Sequence, residues 1–265
     1  MTAKSILVTG ASRGIGRAAV IELIKKFNNN VVAISRTEKD LIELKQYVEN
    51  DLNGKGKIEI VIGDVTEERV INEAIEKSVK TWGKLDGVIA NAGTLSIGTV
   101  ANTDIDEWKR SYDVNFFSIV NLIKKSLAQL KQNKGVFVSV SSGAATYEYY
   151  GWAAYSTTKA ALNMLTTTFA LEEPDVVAIS IRPGVVDTDM QKLIREKGME
   201  MGMKKSEHDK FISLYKSNNL VPADQPAHIL ASLASCAGEK IDTIKSLSGK
   251  FLSWDDPIMI SHRKN

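Results

Sequence analysis

Cysteine is almost absent from this sequence: Cys236 is the only one in 265 residues. One thiol makes no disulfide within the chain, and no Cys/His spacing of a zinc site is present. Its simplest place is that of a small buried helix residue. Histidine is scarce as well. His208, His228 and His262 are never three or four residues apart, so a metal pair on one helix face is excluded. No Pro/Gly/Ser-rich linker divides the chain, and no short-period repeat runs through it. Charge of one sign is missing too: 34 basic against 32 acidic residues leave a net charge of +2. That balance excludes the basic footprint of a nucleic-acid binder and any general attraction to an anionic membrane. No apolar run approaches the ~18 residues of a membrane span. The first strand-like run begins at Ser5, which leaves no room for a signal peptide, and Ser261–Asn265 match no address signal. The expectation is a cytoplasmic protein with no metal, no nucleic-acid partner and no membrane partner.

What is present is an alternation. Apolar, β-rich runs lie at Ser5–Thr9, Val31–Ser35, Ile58–Ile62, Gly87–Ala90, Val136–Val140 and Val176–Ile181, with a weaker one at Lys250–Trp254. Helical spacing fills Ile15–Phe27, Asp40–Glu49, Glu67–Trp82, Ile105–Lys131, Ala153–Leu171 and Ala223–Cys236. Strands alternating with helices imply right-handed crossovers and a parallel sheet covered on both faces. Runs such as Ile6-Leu7-Val8 and Val31-Val32-Ala33-Ile34 are apolar throughout, as strands buried on both faces must be. The reading is one α/β domain over residues 1–265: a doubly wound, Rossmann-like sheet in three layers. The segment Asp187–Asn219 departs from the pattern, with Gly198, Gly202 and Met190, Met199, Met201 and Met203. It leaves the sixth strand at its carboxyl end, where open α/β sheets bind ligands, and reads as a helical flap over the site.

The first strand runs into Thr9-Gly10-Ala11-Ser12-Arg13-Gly14-Ile15-Gly16, and a helix follows. Glycines let the backbone approach a diphosphate, and the helix start offers free N–H groups and partial positive charge. The spacing is neither GxGxxG nor that of a nucleotide-hydrolysing P-loop. The second strand ends Ser35-Arg36-Thr37, with Arg36 where an acid would hold the 2′-hydroxyl of NAD. Arg36, joined by Arg13 from the turn, favours the 2′-phosphate of NADP(H) through charge-assisted hydrogen bonds. The plainer alternative for Arg36 is a solvated surface arginine.

Tyr155 and Lys159 are four apart at the start of an apolar helix and share a face. An ammonium beside a phenol favours the phenolate, so the Tyr155 pKa is expected below its usual ~10. Ser142 lies at the end of the fifth strand, Asn115 in the preceding helix, and Asn91-Ala92-Gly93 after the fourth strand. With the glycine turn, Asp64-Val65 and Arg182-Pro183-Gly184, these residues resemble the single-domain short-chain dehydrogenase/reductase family along essentially the whole chain. Two departures stand out: Ala90 occupies the first position of the usual Asn-Asn-Ala-Gly, and Ser141 adjoins Ser142, so the serine is assigned by spacing.

The resemblance implies an NADP(H)-dependent oxidoreductase acting on a small-molecule carbonyl or alcohol. Tyr155 would be the proton donor and acceptor, Lys159 its partner, Ser142 the holder of the substrate oxygen, and Asn115 the support of a proton-relay water. Gly10, Ser12, Arg13, Gly14 and Ile15 would line the diphosphate and adenosine side. Asp64 and Val65 would meet the adenine, Asn91 the ribose and Thr188 the carboxamide, with Pro183 and Val186 completing the cofactor set beside Arg36. A finer resemblance, to the fungal benzil reductases and through them to sepiapterin reductases, rests on Asn115–Val120, Val186–Met190 and Leu252–Pro257. It implies a lipophilic ketone or diketone. A sepiapterin-like or other ketone substrate, and a regulator that senses NADP without catalysis, are the alternatives.

Tyr147, Tyr149, Tyr150 and Trp152 precede Tyr155, and with the flap methionines they form either an adaptable apolar pocket or a loop packed on the core. The helices Ile105–Lys131 and Ala153–Leu171 are apolar on more than one face, which predicts a homodimer or homotetramer through them.

Overall fold

The computed structural model describes residues 2–263. Met1 lies outside them, as do Lys264 and Asn265, the end of the Ser261–Asn265 segment considered above. Seven parallel strands form one sheet in the order β3-β2-β1-β4-β5-β6-β7. They are β1 (Ser5–Thr9), β2 (Asn30–Ser35), β3 (Ile58–Ile62), β4 (Gly87–Ala90), β5 (Val136–Val140), β6 (Val177–Arg182) and β7 (Phe251–Ser253). The order reverses between β1 and β4, which opens a crevice at the carboxyl ends of those two strands.

Alternation along β1 divides the core in two. Ile6 and Val8 join the layer of α1 (Gly14–Lys25), α2 (Glu38–Asn50) and α9 (Asp224–Ala234). Leu7 joins the opposite layer, with α3 (Glu68–Trp82), α5 (Ser118–Gln132) and α6 (Ala153–Glu172). β1, β4 and β5 are buried at every residue, which explains why they read as unbroken apolar runs. The doubly wound α/β fold expected from the sequence is therefore the one found.

The run Ile105–Lys131 is not one helix. It is α4 (Ile105–Tyr112), a π-helical turn at Asp113–Phe117, and α5. The extra residue of that turn shifts the register of everything after it. Asn115 sits in the turn and is fully buried. Its carboxamide accepts from Thr94 N at 2.8 Å and donates to Thr94 O at 2.9 Å. A tertiary contact thus holds the irregular turn, and the 3.6-residue period has no way to announce it.

After β6 the chain makes α7 (Asp189–Lys197) and α8 (Lys205–Lys216), joined by a turn in which Gly202 adopts φ +104°. Val186 and Val221 form a parallel bridge at the two roots of this segment. Ile194, Met203 and Phe211 turn inward from it and pack with Leu95, Ile97, Ala144, Trp152 and Tyr155 in a third apolar cluster. Cys236 is buried just beyond α9.

Candidate active site

The glycine turn between β1 and α1 is built for close approach. Gly10 and Gly14 lie at φ +64° and +53°, a region that L side chains avoid. A Cβ on Gly10 would stand 2.9 Å from Ala92 Cα, and one on Gly16 would overlap the Gly10 carbonyl oxygen. Thr9 Oγ1 accepts from both Asn91 N and Ala92 N at 3.0 Å. The Asn91 carboxamide donates to Thr9 O at 3.0 Å and Gly10 O at 3.1 Å. Asn91 thereby ties the end of β4 to the turn. Ser12 is buried and accepts from Ser35 Oγ at 2.8 Å, which fixes the turn against β2. Among the described residues no side chain caps the start of α1, which leaves its first N–H groups for an anion. A cradle that a single Cβ would fill, opening on an uncapped helix start, fits the diphosphate of a dinucleotide.

Around this cradle, Ile15 packs against the first core layer, Val65 is buried in the second, and Pro183 is buried at the end of β6. Thr188 begins α7, its hydroxyl accepting from Gln191 N at 3.4 Å. A Cβ on Gly14 would be 3.2 Å from Thr188 Cγ2, so the root of the flap rests on the phosphate turn. Val186, two residues before Thr188, holds the bridge to Val221.

Arg36 and Arg13 do not meet each other. Arg36 Nη1 lies 3.4 Å from Asp64 Oδ2, and Arg13 Nη1 lies 3.3 Å from Asp189 Oδ2. Sequence order places no acid on β2, but the parallel neighbour β3 delivers Asp64 to the same corner. Partial burial raises the Asp64 pKa. The Thr66 N–H and hydroxyl and the Arg36 guanidinium outweigh it and hold the carboxyl below its usual value.

Tyr155 and Lys159 lie on one face of α6 and both are buried. Lys159 Nζ donates to Val140 O at 2.8 Å and stands 5.8 Å from the centre of the Tyr155 ring. Burial in this cleft pushes Lys159 down to about 8. Tyr155 moves the other way from expectation: burial raises its pKa, and the Ser142 hydroxyl beside it offsets only part of that. The physical reason is desolvation, since a phenolate loses more by leaving water than an ammonium held on a carbonyl returns. Ser142 also accepts from Ala144 N at 3.1 Å, which points its oxygen toward the cleft from the end of β5. Ser141, its neighbour, is buried with its N–H bonded to Ile181 O at 2.8 Å.

Asn115 reaches the same corner. Its amide also donates to Thr158 Oγ1 at 3.2 Å, on α6. A Cβ on Gly93 would be 3.3 Å from Asn115 Oδ1 and 3.7 Å from Lys159 Nζ, so both polar groups border the same small space beside Gly93. Tyr155, Ser142, Lys159 and Asn115 thus converge from three separate elements. The assembly can hold a carbonyl oxygen at a phenol and a serine hydroxyl, with a cationic amine behind them. Thr94, Thr158 and the Val140 carbonyl give it support that sequence spacing did not reveal. Among the described residues no cluster of three His, Cys, Asp or Glu could hold a metal ion.

Comparison with known proteins follows the same outline. The family model for short chain dehydrogenase matches residues 4–198. The benzil reductase ((S)-benzoin forming) IRC24 of Saccharomyces cerevisiae is 39% identical over 263 residues, covering 96% of each chain. The benzil reductase ((S)-benzoin forming) of Bacillus subtilis is 33% identical, covering 86% of this chain and 91% of its own. The crystal structure of YIR035C, a short chain dehydrogenase/reductase from Saccharomyces cerevisiae, superposes with a TM-score of 0.90 at 37% identity, covering 98% of this chain and 100% of the other.

Proposed function

Since the chain belongs to the short-chain dehydrogenase family, we propose that this oxidoreductase is an NADPH-dependent carbonyl reductase that acts on lipophilic ketones and diketones such as benzil. The observation that carries the reading is the convergence of Tyr155, Ser142 and Lys159 beside the apolar cluster that holds Trp152 and Phe211. The benzil reductase activity named for two relatives supports the same substrate class. Gly10, Ser12, Gly14 and Ile15 would hold the diphosphate, Arg36 and Arg13 the 2′-phosphate, Asp64 and Val65 the adenine, and Asn91, Pro183, Val186 and Thr188 the ribose and nicotinamide. When bound, the reduced nicotinamide supplies a hydride to the carbonyl carbon.

The chain's own residues do the rest. Ser142 orients the substrate oxygen against Tyr155. The Tyr155 hydroxyl gives its proton to that oxygen, so one C–H and one O–H bond form and the C=O double bond is lost. A raised phenol pKa keeps Tyr155 protonated at neutral pH, the form that reduction consumes. The Lys159 ammonium stabilises the phenolate as it develops, and Asn115 leads the returning proton toward Lys159. Purified Tyr155→Phe should bind NADPH with unchanged affinity and lose at least about 100-fold in kcat for benzil. Turnover within threefold of wild type would end the assignment.

No helix among the described residues is long and apolar enough to cross a membrane. Ile105, Phe117, Met164 and Leu171 leave large apolar side chains exposed on α4, the π-helical turn and α6. We read these as cover for a second copy, a homodimer in the cytoplasm. Light scattering at micromolar concentration should return twice the chain mass, and a monomer mass would remove that reading.

A further inference from the structure

Trp152 immediately precedes α6 and is 5% exposed. Its ring stands edge-on to Tyr155, with centroids 5.8 Å apart and planes at 82°. It stacks on Phe211 of the flap at 5.8 Å and 5°, and lies 4.9 Å from Tyr149. Its Nε1–H is buried and has no hydrogen-bond partner among the described residues. An indole N–H only donates, so no rearrangement of protons relieves it. Phenylalanine would fill the same aromatic stack without stranding a donor.

Gln191, on α7, presents the same puzzle. It is 3% exposed, and neither carboxamide atom has a partner among the described residues. On α7 it lies three residues before Ile194, so the two share a helix face. Ile194 belongs to the cluster of Trp152 and Tyr155, and Met190 packs on that cluster too. Leucine or methionine would serve packing better here. Two buried polar side chains, one in this apolar cluster and one on the helix that contributes Ile194 to it, both without partners among the described residues, are a costly arrangement that a bound polar atom relieves.

We infer that this cluster is a pocket for a substrate with two neighbouring oxygens, and that Trp152 Nε1–H and the Gln191 carboxamide hold the oxygen that is not reduced. This rests on the carbonyl reductase reading above and narrows it to 1,2-dicarbonyl compounds. One carbonyl meets Tyr155 and Ser142 and accepts hydride and proton. Its neighbour keeps its double bond and accepts hydrogen bonds from Trp152 and Gln191, so the product is an α-hydroxy ketone. The aromatic walls of Trp152, Tyr149 and Phe211 take the flanking apolar groups. Because Trp152 Nε1 is buried and the Phe211 ring stacks on Trp152, the flap must shift to admit the substrate.

The test compares benzil with deoxybenzoin, which keeps both phenyl rings and one carbonyl but lacks the second oxygen. Both are assayed by NADPH consumption with the full-length protein. Wild type should prefer benzil. Trp152→Phe keeps the stack and should lower kcat/KM for benzil at least about tenfold while changing deoxybenzoin less than about threefold. Gln191→Leu should shift the ratio in the same direction, and it decides the matter if Trp152→Phe does not fold. Equal losses on both ketones, or an unchanged benzil rate in both variants, would overturn the inference while leaving the reductase reading standing. A wild type inactive on both ketones would remove the reductase reading and this inference together.

Discussion

At the glycine turn, Thr9 Oγ1 accepts from two main-chain N–H groups and the Asn91 carboxamide donates to two carbonyls. Beside Tyr155, the Trp152 indole and both ends of the Gln191 carboxamide are buried without partners among the described residues. The half of the cleft proposed for the cofactor is therefore finished before any ligand arrives, and the half proposed for the substrate is not. A dinucleotide presents the same diphosphate each time it binds, so its cradle gains from being rigid. The carbonyl substrate must pass the flap, and groups proposed to bind it stay unpaired until it does. The wall materials match this division. Glycines at fixed positive φ line the first half, while methionines and stacked aromatics, which repack at little cost, line the second.

The comparison breaks most sharply at Gly16. Its Cβ would overlap the Gly10 carbonyl oxygen and stand 2.5 Å from Asn91 Nδ2. Neither is the free end of a flexible chain. Gly16→Ala must therefore displace the turn or lose the Asn91 bonds, and NADPH affinity should fall at least about 100-fold, some 2.7 kcal/mol. Gly202 of the flap sits at φ +104° with nothing within 4 Å of a Cβ. Gly202→Ala meets only backbone strain, and cofactor affinity should stay within about threefold of wild type. Calorimetric titration of NADPH into both variants decides it. Comparable losses would show that the flap is as fully committed to the cofactor as the turn.

A second cut runs through the titrating groups. Lys159 is held at about 8 by burial, so its amine is cationic below that pH and neutral above it. Tyr155 is raised, so it is still protonated where Lys159 discharges. Reduction needs the phenol proton and the ammonium that stabilises the resulting phenolate. The rate at saturating NADPH should thus be level near neutrality and fall above about pH 8, approaching tenfold per pH unit. Lys159→Arg, which stays charged, should move that fall to higher pH. A limb that stays put in this variant belongs to some other group.

The fold was legible because its signals are local. Unbroken apolar strands alternated with amphipathic helices, and β1 passed straight into its glycines. Tyr155 and Lys159 were legible for the same reason: four residues on a helix put them on one face. Ser142 and Asn115 needed the family resemblance, since spacing alone joins neither to Tyr155. The π-helical turn that seats Asn115 left no mark, because it is held by Thr94 from across the fold. The direction of the Tyr155 shift was missed as well. Sequence shows a neighbouring charge but not how completely two side chains leave water. Asp64 was read as an adenine contact, and its place beside Arg36 follows from the pairing of β2 with β3, which sequence order does not reveal.

That same corner gives the smallest and most discriminating effects. Arg36 and Arg13 are both exposed and each faces one carboxylate, so neither ion pair is worth more than about 1 kcal/mol by itself. Their proposed value lies in what they offer a 2′-phosphate. Arg36 stands at the end of β2, above the expected ribose, and Arg36→Ala should cut the NADPH-over-NADH ratio of kcat/KM by about tenfold. The variant also frees the Asp64 carboxylate, which stays ionised and can accept a ribose hydroxyl. NADH use should therefore rise in absolute terms, beyond its rise relative to NADPH. Arg13 is drawn toward Asp189 on the flap and points along the rim between the two halves. Arg13→Ala should change the ratio by less than about threefold, and the change should shrink further in molar salt. The two substitutions thus test whether the halves are joined by charge. If Arg13→Ala matched Arg36→Ala, or if it altered benzil turnover at saturating NADPH, the flap and the cofactor cradle would be one electrostatic unit and the division drawn above would fail.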